Sequence, residues 1–297
     1  MIWKLPHREV LFPRRPLIMG IVNINDDSFS GDGTLDPQAA FERAKRQIEE
    51  GADVLDAGAE SARTNREAIS PAEEIRRFIA FLERWPELLK TARPAHAAQL
   101  WPPVLSANTW RPEVAEAVLP RGVELLNDMG GLPDAANARL CAASGASLLI
   151  MHSVGKPKEP HRQQQWPDIM GALRDFFAEK IALAESAGLP REAVILDPGL
   201  DFAKQLEDNL TILREFGELT SFGRPLLAPI GRKSLIGRAL DIAEPAHRDA
   251  GTIACLNAAI SRGASIVRVH DVRAARQAID ILHALDQPGS TVLETAV

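Results

Sequence analysis

Eight short runs rich in Val, Ile and Leu recur along the chain, with helix-like stretches between them, and most runs end in a polar side chain. Such alternation of strand and helix predicts a parallel sheet, whose strands all end at the same edge. The pattern therefore predicts that the polar ends converge on one face of the fold. These ends are, in chain order, Asn23, Asp56, Asn108, Asn127, Met151 with His152, Asp197, Arg232 with Lys233, and Arg268 with His270.

Helix start signals follow the first two runs. Asp36 stands before Pro37 as a helix cap, and Gly51 follows the end of the apolar stripe. Ser70 with Glu73 has the spacing of a capping box. Each predicted strand is therefore followed by a helix with a defined start.

The number of strand–helix units decides the fold class. Eight units in 297 residues suit an α/β protein with a single (β/α)8 TIM barrel domain. A doubly wound sheet usually has fewer strands and predicts a Gly-rich phosphate fingerprint after the first strand, which this sequence lacks. We expect an N-terminal extension over 1–16, the barrel over 17–287 and a C-terminal tail over 288–297.

The charge balance limits the partners. A formal net charge of −6 argues against a nucleic-acid or membrane surface, but it permits a local basic pocket for a small anion. Cys141 and Cys255 lie in Ala-rich helical patterns, which favours buried thiols in a reducing cytoplasm over a disulfide or metal site. No run of 18 uncharged apolar residues occurs, so a membrane-spanning helix is not predicted.

The strand ends combine two kinds of chemistry. Amide and carboxylate groups read the donors and acceptors of a flat heterocycle, whereas basic groups neutralise phosphate oxygens. The first kind is supplied by Asn108, Asn127 and Asp197, and the second by Arg63, Lys233, Arg268 and His270. The predicted ligand is a phosphorylated heterocycle.

Several of these residues also have a purely structural interpretation. Asp197-Pro198-Gly199 is common turn chemistry. Ser234 can cap a helix that begins after Lys233, although basic residues there oppose the helix dipole, which favours a ligand role. His152 is interpreted as structural. Arg268 and His270 share one strand face and, if that face points inward, they require an anionic partner.

Several motifs, in this order, carry a resemblance to a known family. They are Met19-Gly20-Ile21-Val22-Asn23 with Asp27-Ser28-Phe29-Ser30, Asp56 to Arg63, Asn127-Asp128, Met151-His152, Asp197-Pro198-Gly199 with Phe202 and Lys204, Arg232-Lys233-Ser234, and Arg268 to Val272. Together they cover nearly the whole length, and the chain resembles the dihydropteroate synthase family.

The resemblance implies a reaction and a set of roles. The family condenses 6-hydroxymethyl-7,8-dihydropterin diphosphate with p-aminobenzoate, releases diphosphate and uses Mg²⁺. Asn108, Asp197 and Lys233 are then catalytic, and a homodimer is expected. The implied pterin-binding residues are Asn108, Asn127, Met151, Asp197, Phe202, Lys233 and Arg268. The implied diphosphate-binding residues are Asn23, Arg63, Arg268 and His270, and Asn23 is the implied metal ligand.

Departures from the family pattern leave alternatives open. The family's Ile-Asp-Thr is Ala107-Asn108-Thr109 here, its Ser-Arg-Lys is Gly231-Arg232-Lys233, and Asp201 replaces a glycine. Asn108 carries no charge for a cationic intermediate, which motivates a pterin-binding paralogue without normal turnover. Gly231 lacks a hydroxyl for the p-aminobenzoate carboxylate, which motivates another arylamine, as in tetrahydromethanopterin-like cofactors. A pterin-dependent methyltransferase is a third alternative.

Overall fold

A computed structural model describes residues 1–26, 31, 33–61, 66–155, 157–159 and 164–286. The strands are β1 Ile2–Lys4, β2 Glu9–Leu11, β3 Leu17–Asn23, β4 Val54–Gly58, β5 Val104–Asn108, β6 Leu125–Asp128, β7 Ser147–Met151, β8 Val194–Asp197, β9 Leu227–Pro229 and β10 Ile266–Val269. The α-helices are α1 Pro37–Glu49, α2 Pro71–Leu82, α3 Trp85–Thr91, α4 Pro112–Val118, α5 Ala136–Ser144, α6 Ile169–Ser186, α7 Leu206–Arg214, α8 Ser234–Leu240, α9 Asp249–Ile260 and α10 Val272–Asp286.

Strands β3 to β10 form one parallel sheet in the order β8-β7-β6-β5-β4-β3-β10-β9. A parallel bridge between Leu196 and Leu226 joins β8 to the residues that precede β9 and closes the sheet. Helices follow the strands along the chain. The prediction of a (β/α)8 TIM barrel is confirmed.

Apolar side chains form two separate layers around the sheet. One cluster fills the barrel interior and includes Leu17, Met19, Val54 and Ile266, while the larger cluster lies between the strands and the surrounding helices. Both faces of each strand are therefore covered, which explains why the strands read as nearly continuous apolar runs.

The N-terminal hairpin closes the amino end of the barrel. Strands β1 and β2 pair antiparallel, and Trp3 belongs to the same cluster as the side chains of the barrel interior. The Trp3 indole Nε1 donates to Ser147 Oγ at 2.9 Å. Polar groups can therefore reach the barrel interior only from the opposite, carboxyl end.

The predicted tail over 288–297 lies outside the described residues, and the domain boundaries stay a prediction.

The predicted helix caps are found with one correction. Asp36 Oδ1 accepts from Gln38 N at 2.9 Å, and Ser70 Oγ accepts from Glu73 N at 3.2 Å. A full capping box would direct the Glu73 carboxylate back to Ser70. That carboxylate instead binds the Arg76 and Arg77 guanidinium groups, each with an Nε–O distance of 2.7 Å.

Strand register aligns several of the predicted site residues. Asn23 is opposite Gly58, Gly58 is opposite Asn108, and Asn108 is opposite Asn127. Four neighbouring strands thus end at one level at the barrel mouth.

Among the described residues, no helix is long and apolar enough to cross a membrane.

Candidate active site

A buried carboxylate on β4, Asp56, collects the polar side chains of the neighbouring strands. Asp56 Oδ1 accepts from Ser106 Oγ at 2.6 Å. Asp56 Oδ2 accepts from Asn108 Nδ2 at 3.2 Å and from Asn127 Nδ2 at 3.0 Å. Arg268 Nε also donates to Oδ2, at 2.8 Å. We call these five residues the Asp56 cluster.

The charge of Asp56 fixes the orientation of both amides. An ionised carboxylate only accepts hydrogen bonds, so Asn108 and Asn127 must each turn the Nδ2 group toward it. Their carbonyl oxygens therefore point elsewhere. Asn108 is 7% exposed, and its Oδ1 has no hydrogen-bond partner within the described part of the chain. The Asn108 amide oxygen is thus left as an acceptor without a donor among the described residues.

Arg268 has its anionic partner inside the protein. The sequence pattern indicates that inward-facing Arg268 and His270 require an anion, and for Arg268 that anion is Asp56, with Nη2 also 2.8 Å from Oδ2. The expected anionic partner of Arg268 is thus found, and its implied contact with diphosphate stays a prediction. The Arg268 side chain remains 20% exposed.

The Asp197 turn is both structural and part of the mouth. Asp197 Oδ1 accepts from Gly199 N at 2.7 Å, as the turn interpretation predicts. Gly199 has a φ of 64°, and a Cβ there would overlap the His152 carbonyl oxygen. Burial raises the pKa of Asp197 to about 6, although the charges of Lys233, Arg268 and Lys204 oppose that shift. Asp197 therefore titrates near neutral pH.

Lys233 lies over the loop that follows β8. Its Nζ donates to Leu200 O at 2.9 Å and lies 4.9 Å from the centre of the Phe202 ring. Burial lowers the pKa of Lys233. The partly buried Phe202 ring packs against the cluster of the barrel interior, to which Met151 belongs. Met151 is opposite Asp197 in the register. The predicted residues Met151, Asp197, Phe202 and Lys233 are thus brought together.

Helix α8 is capped by a residue from another loop. Ser234 is its first residue rather than its cap, so the capping interpretation of Ser234 is wrong. Asp201 Oδ2 accepts from Ser234 N at 2.6 Å, and Asp201 Oδ1 accepts from Leu235 N at 3.1 Å. Asp201 has a φ of 70°, a backbone region that Gly and Asp tolerate better than most residues. The negative charge favours the start of α8.

The predicted diphosphate-binding residues lie only partly within the described part of the chain. Asn23 ends β3 and His270 follows β10, both at the barrel mouth. Arg63 lies outside the described residues, so its predicted role is not tested. A Cβ at Gly231 would lie 3.0 Å from His270 Cδ2, so the glycine permits close approach of the β9 loop to His270.

A second polar group at the rim was missed by sequence reasoning. Arg111 binds the buried carboxylates of Glu60 and Glu74, and Lys158 Nζ lies 3.4 Å from Glu60 Oε1. Burial raises the pKa of Glu74. These ion pairs connect the loops after β4, β5 and β7. Their sequence separation leaves no local pattern by which they could be found.

Known proteins match the chain over most of its length. The family model described as "Pterin binding enzyme" matches residues 19–270. A dihydropteroate synthase of Synechocystis sp. is 37% identical over 285 residues, which is 95% of this chain and 94% of the relative.

The chain belongs to the dihydropteroate synthase family.

Solved dihydropteroate synthases share the fold. The Yersinia pestis enzyme, solved as a sulfonamide drug complex, aligns with a TM-score of 0.86 at 31% identity, covering 96% of this chain and 99% of that one. The Burkholderia cenocepacia enzyme, complexed with 7,8-dihydropteroate, aligns with a TM-score of 0.82 at 30% identity, covering 96% of each chain.

Three departures from the dihydropteroate synthase pattern each make a defined contact in the structure. Asn108 is held by Asp56, Asp201 caps α8, and Gly231 packs against His270. The largest omission of the sequence prediction is Asp56, which was named as a strand end but not assigned to the site. An acid within an inward-facing apolar strand requires buried donors, and this was the available signal.

Proposed function

We propose that this enzyme condenses 6-hydroxymethyl-7,8-dihydropterin diphosphate with p-aminobenzoate or a related arylamine. The amine nitrogen forms a bond to the exocyclic methylene carbon, the carbon–oxygen bond to diphosphate breaks, and the amine proton leaves with the diphosphate. The products are dihydropteroate, or its analogue, and diphosphate. In folate biosynthesis this step makes the pterin–arylamine bond.

The observation that carries the proposal is the polarity of the Asp56 cluster. Its amides present carbonyl oxygens, and Asp197 adds a carboxylate. A dihydropterin carries N–H donors on its pyrimidine ring and its amino group, so this set of acceptors complements it. Lys233 supplies a donor for the ring carbonyl or a ring nitrogen. The Burkholderia cenocepacia relative holds 7,8-dihydropteroate, which supports a pterin ligand.

The reaction separates positive charge on the pterin from negative charge on the diphosphate, and different residues of the site are assigned to each. Positive charge develops on the pterin as the carbon–oxygen bond breaks, and the Asp197 carboxylate stabilises it. Asn108 contributes hydrogen bonding without charge. His270 and Arg63 are assigned to the departing diphosphate, together with the exposed side of Arg268. The mouth therefore has an acidic side and a basic side.

Mg²⁺ is proposed as the cofactor, with Asn23 as its protein ligand. Among the described residues, no group of three His, Cys, Asp or Glu side chains forms a metal site. One amide oxygen fits Mg²⁺ where water and substrate phosphate oxygens complete the shell. When bound, the ion would neutralise charge on the leaving diphosphate. A homodimer and a cytoplasmic location complete the proposal. The reduced state expected of Cys141 and Cys255 supports the location.

A second candidate is a pterin-binding protein without normal synthase turnover, or with an acceptor that lacks a carboxylate. Asn108 favours the first version and Gly231 the second. Aminobenzoate binding has a precedent in the relative from Xanthomonas albilineans, which was solved with 4-aminobenzoic acid. That precedent favours p-aminobenzoate as the first acceptor to test.

Diphosphate release decides between these functions. We expect release when the protein is incubated with the dihydropterin diphosphate, Mg²⁺ and p-aminobenzoate, and a product with the mass of dihydropteroate. Release only with uncharged anilines would support the alternative acceptor. Tight pterin binding by calorimetry without release for any arylamine would overturn the synthase proposal and support the paralogue.

A further inference from the structure

Lys204 is a buried lysine that the proposed reaction does not use. Its residue is 3% exposed. The ammonium Nζ donates to Gly199 O at 3.0 Å and to Phe202 O at 3.1 Å, and it lies 2.8 Å from His152 Nδ1. All three partners are uncharged. Burying a charge among uncharged hydrogen-bond partners is costly, so its presence beside the site requires a reason.

The three partners match an ammonium ion. A charged lysine has three N–H donors and no acceptor, and here each donor has one acceptor. His152 supplies one of them as a neutral ring, because burial and the Lys204 charge lower the pKa of His152 to about 3. The His152 ring packs edge-to-face against Trp166 and Phe176, with centroid distances of 5.4 and 4.7 Å. The acceptor is therefore held in place.

The segment that Lys204 binds carries the proposed pterin contacts. Leu200 O accepts from Lys233, and the Phe202 ring lies under the Lys233 ammonium. Gly199 N donates to Asp197, and His152 N donates to Asp197 O at 2.8 Å. We propose that Lys204 is a positioning residue of the pterin pocket, which clamps residues 199–202 against His152 and places a buried positive charge at the Asp197 turn, whose Gly199 carbonyl it binds.

The charges around the pair define its pH dependence. Asp197 interacts electrostatically with Lys233, Arg268 and Lys204. Lys204 interacts in the same way with Asp197, Lys233, Asp208 and Asp201. Burial lowers the pKa of Lys204 to about 7, although the Asp197 charge opposes that shift. The two groups therefore influence each other's protonation near neutral pH. Loss of the Lys204 charge raises the pKa of Asp197.

The first test requires no ligand. Protein labelled with ¹³C in the aspartate carboxyl carbons is titrated by NMR, and the Asp197 signal is identified by its loss in Asp197→Asn. We expect Lys204→Met to move the Asp197 midpoint upward by about one pH unit. Lys90→Met, at an exposed site on α3, removes the same charge and is expected to leave the midpoint unchanged.

A second variant separates charge from hydrogen bonding. Lys204→Gln retains two N–H donors but no charge, and it is used if Lys204→Met does not fold. It is expected to raise the Asp197 midpoint as well, while hydrogen exchange across residues 198–204 increases less than in Lys204→Met. An unchanged midpoint in every folded Lys204 variant overturns the proposal.

The ligand measurement rests on the proposed function. Calorimetry with the dihydropterin diphosphate and Mg²⁺ is expected to give an affinity for Lys204→Gln at least about tenfold weaker at pH 6.5, with a smaller difference at pH 8.5, where Asp197 is ionised in both proteins. Equal affinities at pH 6.5 would contradict the clamp. If the unmodified protein does not bind pterin, the proposed function fails, while the NMR titration still decides the role of Lys204.

Discussion

Two buried aspartates, Asp53 and Asp56, lie close together in sequence but have different kinds of partner. Asp53 accepts from the backbone N–H groups of Ile18 and Leu100, both at 2.9 Å, and from Arg276 Nη2 at 2.9 Å. Asp56 accepts from side chains alone among the bonds described above. Each carboxylate binds an arginine from the last barrel unit, so burial and pairing do not distinguish them.

The partners explain the difference in role. A backbone N–H group that donates to Asp53 has no second polar atom with which to bind a ligand. The hydrogen bonds of Asp53 therefore hold strands and a loop together without forming a ligand site. The amides on Asp56 each retain a carbonyl oxygen for a ligand. A buried acid surrounded by bifunctional side chains indicates a site, whereas one bound by backbone groups indicates stability.

The largest predicted effect contrasts these two residues. Asp53→Asn and Asp56→Asn are each expected to lower the free energy of unfolding by roughly 2–5 kcal/mol, because each removes the nearest counter-ion of an arginine whose side chain is at most 20% exposed. Asp56→Asn also releases both amides, so pterin affinity should fall at least about 100-fold. Asp53→Asn should leave affinity within about twofold. Urea unfolding and calorimetry measure the two quantities, and equal losses of affinity would refute the distinction.

A smaller effect is expected from pH. Below about pH 6, Asp197 takes up a proton, so it loses its charge and one acceptor for the pterin N–H groups. Pterin affinity should therefore fall by up to about tenfold per pH unit below 6. Asp197→Asn should abolish this dependence.

Asp128 provides a matched control for that titration. Burial also raises the pKa of Asp128 to about 6, but its carboxylate binds Asn137 and Gly130 instead of facing the mouth. Asp128→Asn should keep the pH profile of binding. Calorimetry across pH 5 to 8 measures the profile. If the pH dependence of binding disappears in Asp128→Asn, the titrating group is Asp128 and not Asp197.

Asn108→Asp tests whether the neutral amide limits turnover. The new carboxylate would supply charge to a cationic intermediate, and we expect kcat to rise by roughly tenfold. It would also lie beside Asp56, so stability should fall by about 1–3 kcal/mol. Asn127→Asp places a charge equally near Asp56 and should not raise kcat. Steady-state diphosphate release decides, and no gain for Asn108→Asp would remove the argument that the amide weakens catalysis.

Gly231→Ser is expected to have the smallest effect. The new Cβ would lie 3.0 Å from His270 Cδ2, 3.1 Å from Val269 Cα and 3.2 Å from His270 N, so the His270 ring and the end of β10 must shift by a few tenths of an ångström. If the hydroxyl then contacts the acceptor carboxylate, KM for p-aminobenzoate should fall by about threefold with pterin affinity unchanged. Gly217→Ser, where the new Cβ would lie 3.5 Å from Arg262 O, is the control. A rise in KM would show that steric crowding outweighs the hydroxyl.

The sequence is sufficient to predict those features of the fold and the site that depend on local or periodic patterns. Apolar runs predicted the strands, and residues such as Asp36 and Ser70 predicted helix starts. Site residues at strand ends, including Asn108, Asn127 and Asp197, follow because parallel strands end together. Asp56 was not separated from an ordinary strand end, because its importance depends on partners 50, 52, 71 and 212 positions away.

The remaining omissions have the same cause. Lys204 reads as an ordinary polar residue of a loop motif, and its burial follows from contacts with His152, which follows β7, and with the loop after β8. Asp201 reads as a lost glycine, whereas in three dimensions it replaces the expected serine cap of α8. Such roles depend on which loops meet, and single-chain periodicity contains no information about that.

The long separation between Asp56 and Arg268 has a consequence during protein synthesis. Chains emerge from the ribosome from the amino end, so Asp56, Asn108 and Asn127 are exposed to the cell long before β10 exists. Until Arg268 arrives, the carboxylate lacks its counter-ion and the barrel has an open edge. The Asp56 cluster therefore assembles only after β10 has been synthesised and has paired with β3.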